Sequence, residues 1–181
     1  ALARQRHGRG TWRTFAWPLV FLLTALPWPA TVETWLVQSL SAQVTKATAE
    51  ALLWLGHPAE AMGNQIMVDE KVIAIDASCS GIRSFQCLLA FGLFFGEYYR
   101  RRAVRRLTAL IVALALAFAF NLMRAFALSM ISLEGTGETY ETWHDPIGFM
   151  AVGSAFAGLW AWSRNWVKDT EPGKIVSEPK K

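Results

Sequence analysis

The chain has 181 residues, of which 53% are hydrophobic, and its formal net charge is +4. This length predicts a single domain. The positive charge does not indicate nucleic-acid binding, because the lysines and arginines are grouped at the ends of long uncharged stretches. These stretches cover residues 14–32, 84–96, 107–123 and 146–163.

The uncharged stretches predict four membrane spans, because a helix that crosses a bilayer needs about 20 largely apolar residues. The second span reaches this length only if residues 79–85 are included, which places Arg83 in its first turns. No small-x-small cleavage site follows the first stretch, so we expect a retained helix rather than a cleaved signal peptide. The predicted spans cover residues 14–29, 79–98, 107–132 and 146–163.

The charges around the spans predict their orientation. Most of the 18 lysines and arginines precede the first span, separate the second from the third, or follow the fourth. With four spans these groups fall on one side, which the positive-inside rule makes the cytoplasm. We expect a cytoplasmic basic arm over residues 1–13, a membrane domain over 14–163 and a cytoplasmic tail over 164–181. Both termini would then be cytoplasmic.

The outer segment, residues 30–78, is predicted to hold one amphipathic helix near residues 33–55, ended by Gly56-His57-Pro58. Its apolar stripe steps by three or four residues through Leu36, Leu40, Val44, Ala47, Ala51 and Leu55. The polar face would carry Gln38, Ser41, Thr45 and Thr48. We expect this helix to lie on the outer leaflet or against the spans.

The rest of the chain completes the predicted fold. Two β-branched runs, residues 66–68 and 72–75, flank a charged turn and predict a small β-hairpin. Residues 133–143 are predicted as an outer loop, after which Asp145 and Pro146 resemble a helix cap and a first-turn proline. The predicted fold class is an all-α integral membrane protein with about four transmembrane helices, one outer amphipathic helix and a small β-hairpin.

Cys79 is the first candidate for chemistry, at the predicted outer end of span two. A thiol at a helix N-terminus with Arg83 at position i+4 is favoured in its nucleophilic thiolate form. The alternative is a small residue at a packed helix start. Cys87 lies eight residues further on, about 12 Å along a helix, which is too far for a disulfide. Both cysteines are therefore expected to be free, with Cys87 in lipid or helix packing.

Arg124 and His144 are the other two candidates, because the predicted topology brings both to the outer face near Cys79. An arginine within a span normally faces a cavity or a partner, and Asn121 adds a polar group one turn earlier on the same face. Snorkelling to the outer surface is the alternative for Arg124. His144 would serve as the general base that usually accompanies a cysteine nucleophile, or it is an exposed loop histidine. No paired cysteines or histidines have metal-ligand spacing, so neither a metal nor another cofactor is expected.

Three short motifs in this order resemble those of the exosortase/archaeosortase family. They are Cys79-Ser80-Gly81-Ile82-Arg83, Asn121-Leu122-Met123-Arg124, and His144-Asp145-Pro146-Ile147-Gly148. The resemblance covers roughly residues 62–162. It implies that Cys79, Arg124 and His144 are catalytic and that Arg83, Asn121, Gly81, Asp145 and Gly148 support them.

The resemblance implies a membrane cysteine transpeptidase that removes C-terminal sorting signals, such as those with a Pro-Glu-Pro motif, from secreted proteins. The reaction would pass through an acyl-enzyme and transfer the protein to an unknown acceptor. Its partners would be sorting-signal helices and membrane lipids, and its site would face the outside of a bacterial or archaeal inner membrane. A hydrolytic membrane thiol protease and a non-enzymatic assembly or scaffold protein are the alternatives.

Overall fold

The computed structural model describes residues 19–24, 26, 28–68, 71–75, 81–98 and 103–168. Residues 19–24 are helical, and four longer helices and three strands follow them in the described part of the chain. In chain order these are α1 (Ala30–Trp54), β1 (Ala59–Met62), β2 (Gln65–Val68), β3 (Lys71–Ala74), α2 (Ile82–Tyr98), α3 (Ala103–Glu134) and α4 (Gly137–Lys168). The mainly helical fold class was therefore predicted correctly. The basic arm and most of the predicted cytoplasmic tail lie outside the described residues.

Helix α3 is the centre of the fold, since it packs against α1, α2 and α4. Its segment Arg106–Glu134 has 29 residues, about 44 Å of helix, against a hydrocarbon core of about 30 Å. Among the described residues, this is the one helix long and apolar enough to cross a membrane by length and composition. It contains the span predicted over 107–132. The count of four spans stays a prediction.

Helix α2 begins later than the sequence predicted. Its first residue is Ile82, and Gly81 before it has a φ of 77°, which is left-handed and not helical. The amide of Phe85 donates to the Gly81 carbonyl at 2.8 Å, the first bond of the helix. The prediction that Cys79 and Arg83 lie four apart on one helix is therefore wrong, because Gly81 interrupts the helical conformation between them. Cys79 itself lies outside the described residues.

Helix α4 begins earlier than predicted, so the outer loop over residues 133–143 is wrong. The chain between α3 and α4 has only two residues, Gly135 and Thr136. The Thr136 carbonyl accepts the amide of Tyr140 at 3.2 Å, and the helix begins at Gly137, eight residues before Asp145. Pro146 lies inside α4 rather than in its first turn. Helix α4 packs along α3 and continues past this proline to Lys168, beyond the predicted end at residue 163.

The helix predicted near residues 33–55 is confirmed as α1, but its buried face was predicted wrongly. The residues of α1 that the fold buries are Ser41, Val44, Thr45, Thr48, Ala49 and Leu52. Three of them carry hydroxyls that were assigned to the polar face, whereas Leu55 is 59% exposed. Small side chains let helix backbones approach closely, so a Ser/Thr stripe can be the packing face. The predicted end of the helix is correct, since α1 stops at Trp54 and Gly56 has a φ of 90°.

The predicted hairpin is present as β2 and β3, and a third strand extends it. Strand β1 pairs antiparallel with β2 through a tight turn at Gly63 and Asn64, so the order is β1-β2-β3. Ile66 and Val68 are fully buried, as alternation along a strand requires when one face meets a core. The Lys71 amino group donates to the Leu133 carbonyl at 2.8 Å. This bond ties the sheet to the C-terminal end of α3.

Two apolar clusters set the positions of the helices. One joins α1 and the sheet to the C-terminal half of α3, and it includes Val44, Leu52, Ile66, Ala125 and Leu128. The other joins α2, α3 and α4, and it includes Leu88, Phe95, Ala113, Ala117 and Leu159. Alanines on α3 at the second contact permit close helix packing. As a result, the residues between the two clusters, near Asn121 and Arg124, meet α1, α2 and α4 together.

Candidate active site

Arg124 and His144 are in direct contact between α3 and α4. The Arg124 Nη2 atom lies 3.1 Å from the His144 Nε2 atom. A guanidinium group has only donors, so Arg124 donates this hydrogen bond and Nε2 accepts it. Nε2 is therefore unprotonated in this arrangement. Arg124 is half-buried rather than fully extended toward an outer surface, so its side chain is engaged by a neighbouring helix.

The other ring nitrogen of His144 contacts the neighbouring carboxylate. Nδ1 lies 3.0 Å from Asp145 Oδ1, and because Nε2 is an acceptor, the ring proton belongs on Nδ1 and is donated to Asp145. The His144 side chain is 19% exposed and that of Asp145 is 79% exposed. The ring of Tyr140, one turn earlier on α4, lies with its centroid 5.8 Å from that of His144. His144 is thus held on a helix, not on the loop that the sequence predicted.

Gly148 provides the space that the Arg124 guanidinium occupies. It lies four residues after His144, on the same face of α4. A Cβ atom at this position would be 3.2 Å from Arg124 Cζ and 3.3 Å from Nε and Nη2. The absence of a side chain therefore lets the guanidinium lie against the backbone of α4 while it reaches His144.

Gly81 makes a similar contact with Asn121. A Cβ atom on Gly81 would lie 2.5 Å from Asn121 Cγ, and the residue already has a φ of 77°. Both conditions favour glycine, because a side chain would clash with Asn121 and because residues with a side chain rarely adopt a positive φ. Asn121 is only 6% exposed and lies three residues before Arg124 on α3. One short segment of α3 thus contacts the start of α2 and the middle of α4.

These residues surround a cavity of about 410 Å³. Its polar lining consists of Glu33, Arg83, Ser84, Arg124, His144 and Asp145. Its remaining walls are Val37, Gly81, Ile82, Gly148, Phe149 and Val152. Within the described part of the chain, no cluster of three or more histidines, cysteines or acids is placed to hold a metal ion.

The cavity gathers most of the residues that the sequence singled out. Arg83, Arg124, His144 and Asp145 line it together with both glycines, and Asn121 lies directly behind Gly81. Cys87 is instead a free cysteine on α2 and is exposed. The predicted nucleophile, Cys79, lies outside the described residues.

Glu33 and Val37 are lining residues that the sequence did not indicate. They lie in the first turns of α1, more than 40 residues before the first motif, and no spacing connects them with it. Only the packing of α1 along α3 shows that the start of α1 forms one wall of the cavity. Glu33 is exposed and adds a carboxylate to a site for which the sequence predicted mainly cationic residues.

The fold and the site define a mainly helical protein with an arginine–histidine pair between its most apolar helix, α3, and α4. A family model described as transmembrane exosortase matches residues 2–161. The chain therefore belongs to the transmembrane exosortase family and is a membrane protein, which confirms the resemblance seen in its three motifs. No curated protein and no solved structure matches the chain.

Proposed function

We propose that this chain is a membrane-embedded cysteine transpeptidase that removes C-terminal sorting signals from secreted proteins. The observation that carries the proposal is the contact of 3.1 Å between Arg124 and His144, in a cavity that Gly81 also lines. An imidazole base and a fixed cation beside the same cavity are the groups that a thiol nucleophile requires for acyl transfer.

Cys79 is the proposed nucleophile. It precedes Gly81 by two residues, and two residues of chain span at most about 7 Å in any backbone conformation. Gly81 belongs to the wall of the cavity, so chain connectivity alone keeps the thiol in the neighbourhood of Arg124 and His144. Cys87 lies five residues beyond the start of α2, about one and a half helical turns, and is exposed on the helix surface, so chain connectivity does not keep it beside Arg124 and His144.

The first chemical step forms the acyl-enzyme. The Cys79 thiol proton passes to His144 Nε2 while the sulfur attacks the scissile carbonyl carbon, and the carbonyl electron pair moves to its oxygen. Arg124 has five N–H donors and turns from His144 toward this oxyanion, which also frees the Nε2 lone pair. As the oxyanion collapses, the C–N bond breaks and the Nε2 proton passes to the departing amine. The products are a thioester and the released sorting-signal helix.

The second step returns the enzyme to its resting state. An acceptor nucleophile gives its proton to Nε2 and attacks the thioester carbonyl. The resulting oxyanion is again held by Arg124. Collapse breaks the C–S bond, and the thiolate recovers the proton from His144. The secreted protein leaves joined to the acceptor.

We further propose the four-span topology for this enzyme, with both termini in the cytoplasm and the cavity facing the outside of the inner membrane. Helix α2 covers residues 82–98 of the predicted second span, and α4 includes the predicted fourth span. Both pack along the candidate span in α3. This orientation presents the cavity to secreted proteins after export, while their C-terminal helix is still in the bilayer.

The test follows an epitope-tagged protein ending in a sorting signal, a transmembrane helix and a basic tail, in cells carrying each variant. Cys79→Ala is expected to abolish processing and the thiol-sensitive enzyme–substrate adduct. His144→Ala is expected to slow processing by about 10²–10⁴-fold, the usual contribution of general acid–base catalysis. Cys87→Ala is the matched control and is expected to process normally.

The same assay separates the alternatives. Continued processing by Cys79→Ala excludes the cysteine mechanism, and an inert wild-type protein favours a non-enzymatic assembly role. Release of the trimmed protein without a conjugate indicates a hydrolytic protease, because water then resolves the thioester in place of the acceptor. A conjugate of increased mass that depends on Cys79 supports transpeptidation.

A further inference from the structure

We propose that Asp145 is a positioning residue that keeps the proton of His144 on Nδ1, so that Nε2 faces the cavity as the acceptor. This inference rests on the proposed function, since it assigns Nε2 as the atom that exchanges protons with the thiol. Its basis is a chain of two contacts, Arg124 to Nε2 at 3.1 Å and Nδ1 to Asp145 Oδ1 at 3.0 Å.

The two contacts together leave one neutral form of the imidazole. Arg124 can only donate, so a proton on Nε2 would face the guanidinium without an acceptor and lose that hydrogen bond. The Asp145 carboxylate can only accept while it is ionised, so it favours the proton on Nδ1. Both neighbours select the same tautomer, one from each side of the ring.

Asp145 becomes more important when Arg124 moves to the oxyanion. At that moment the Arg124 contact no longer selects the tautomer, and the Nδ1–Asp145 bond continues to do so. Once Nε2 has taken the thiol proton, the ring is a cation, and the adjacent carboxylate stabilises it. The Nδ1 proton stays on His144 throughout, so Asp145 exchanges no proton with the substrate.

The geometry also limits the size of the effect. The Asp145 side chain is 79% exposed, so water can partly replace it as an acceptor. Partners that orient a functional histidine through its second nitrogen typically contribute about 10–100-fold in metal sites. We expect Asp145→Ala to lower processing by about tenfold, at the low end of that range. Asp145→Asn keeps an acceptor oxygen and should lose less.

A readout of the tautomer tests the proposal directly. The chain has three histidines, so a full-length His7→Gln/His57→Gln protein labelled with ¹⁵N-histidine reports His144 alone by NMR in bilayers. Protonated and unprotonated ring nitrogens resonate in well separated ranges. The expected result is a protonated Nδ1 in the parent protein, a partial shift to protonated Nε2 in Asp145→Ala, and retention of the Nδ1 form in Asp145→Asn.

Glu141→Ala is the matched control, because Glu141 is an exposed acid on the same helix, three residues before His144. It should change neither the tautomer nor processing. A parent protein with protonated Nε2, an Asp145→Ala protein with an unchanged tautomer, or Asp145→Ala processing at the parent rate would each overturn the proposal. The NMR result does not depend on catalysis. An active Cys79→Ala variant would therefore refute the proposed function and leave the tautomer assignment standing.

Discussion

Replacing Gly81 by alanine adds one methyl group at the point where the first and second motifs meet. In the structure that Cβ atom would lie 2.5 Å from Asn121 Cγ, 2.6 Å from Nδ2 and 2.8 Å from Oδ1. Ordinary van der Waals contact begins near 3.4 Å, so the two groups must separate by about 1 Å. Asn121 is buried and has little room to turn away. We expect the segment before α2 to move, and Cys79 with it.

Two costs follow from this one methyl group, and they differ in kind. The left-handed backbone conformation costs an alanine about 1–2 kcal/mol of stability, whatever surrounds it. The displacement affects catalysis instead, because an error of about 1 Å in the position of a reacting group can lower a rate by about 10²-fold. Gly81→Ala should therefore accumulate in the membrane in moderately reduced amounts while its processing per molecule falls by about 10²-fold.

Gly63→Ala separates the two costs. Gly63 also has a positive φ, of 63°, but a Cβ atom there would have nothing within 4 Å. It should show the loss of accumulation without the loss of processing, measured as substrate converted per unit of enzyme on immunoblots. In the double variant Gly81→Ala/Asn121→Ala the clash is removed and the backbone cost remains. This variant should process faster than Gly81→Ala alone.

Equal processing rates for Gly81→Ala and Gly63→Ala would refute this reasoning, since they would show that the contact with Asn121 does not position the nucleophile. A double variant no faster than Gly81→Ala would refute it in another way. The backbone conformation at Gly81, and not the space beside it, would then control the site.

The remaining predictions concern the other side of the cavity and its orientation. Gly148→Ala should slow processing by about tenfold, because its Cβ atom would lie only 3.2–3.3 Å from the Arg124 guanidinium. The control Gly153→Ala, with open space around its Cβ atom, should process normally. Equal processing rates for the two variants would show that Gly148 does not position Arg124. Arg124→Lys should accumulate normally yet process about 10²-fold more slowly, since lysine keeps the charge but lacks the planar, two-pronged donor group of arginine. Near-normal processing would indicate that Arg124 only extends its charge toward the membrane surface. In a Cys87→Ala background, a membrane-impermeant thiol reagent should label Cys79 from outside intact cells, and labelling only after permeabilisation of the inner membrane would overturn the topology.

The features that could be predicted from the sequence are those that a single segment determines. The run over residues 107–132, in which Arg124 is the one charged residue, is apolar enough to specify α3 without reference to any other part of the chain. The β-branched runs around Lys71 specify β2 and β3 in the same local way. A Gly63-Asn64 pair between two short runs is a hairpin signal of the same kind, and it would have revealed β1.

The errors arose where packing overrides a local rule. Asp145 and Pro146 resemble a helix cap and a first-turn proline, yet Pro146 lies inside α4, where a proline costs about 3 kcal/mol and the helix packs along α3. On α1, the hydroxyl residues Ser41, Thr45 and Thr48 are buried and Trp54 is 92% exposed. In a protein surrounded by lipid, exposed apolar side chains carry no penalty, so polarity alone does not identify the packing face of a helix.

The two glycine contacts explain how residues of three short motifs far apart in the chain lie at one place. Asn121 and Arg124 project from one segment of α3, and each meets a residue without a side chain, Gly81 before α2 and Gly148 on α4. A glycine shows nothing in the sequence about what lies against it, so these contacts become visible only when the helices are assembled. Neither glycine supplies a reactive group. If substitution of either glycine lowers processing while the protein still accumulates, processing depends on the distances between the motifs. Helix α3 is the element that sets those distances.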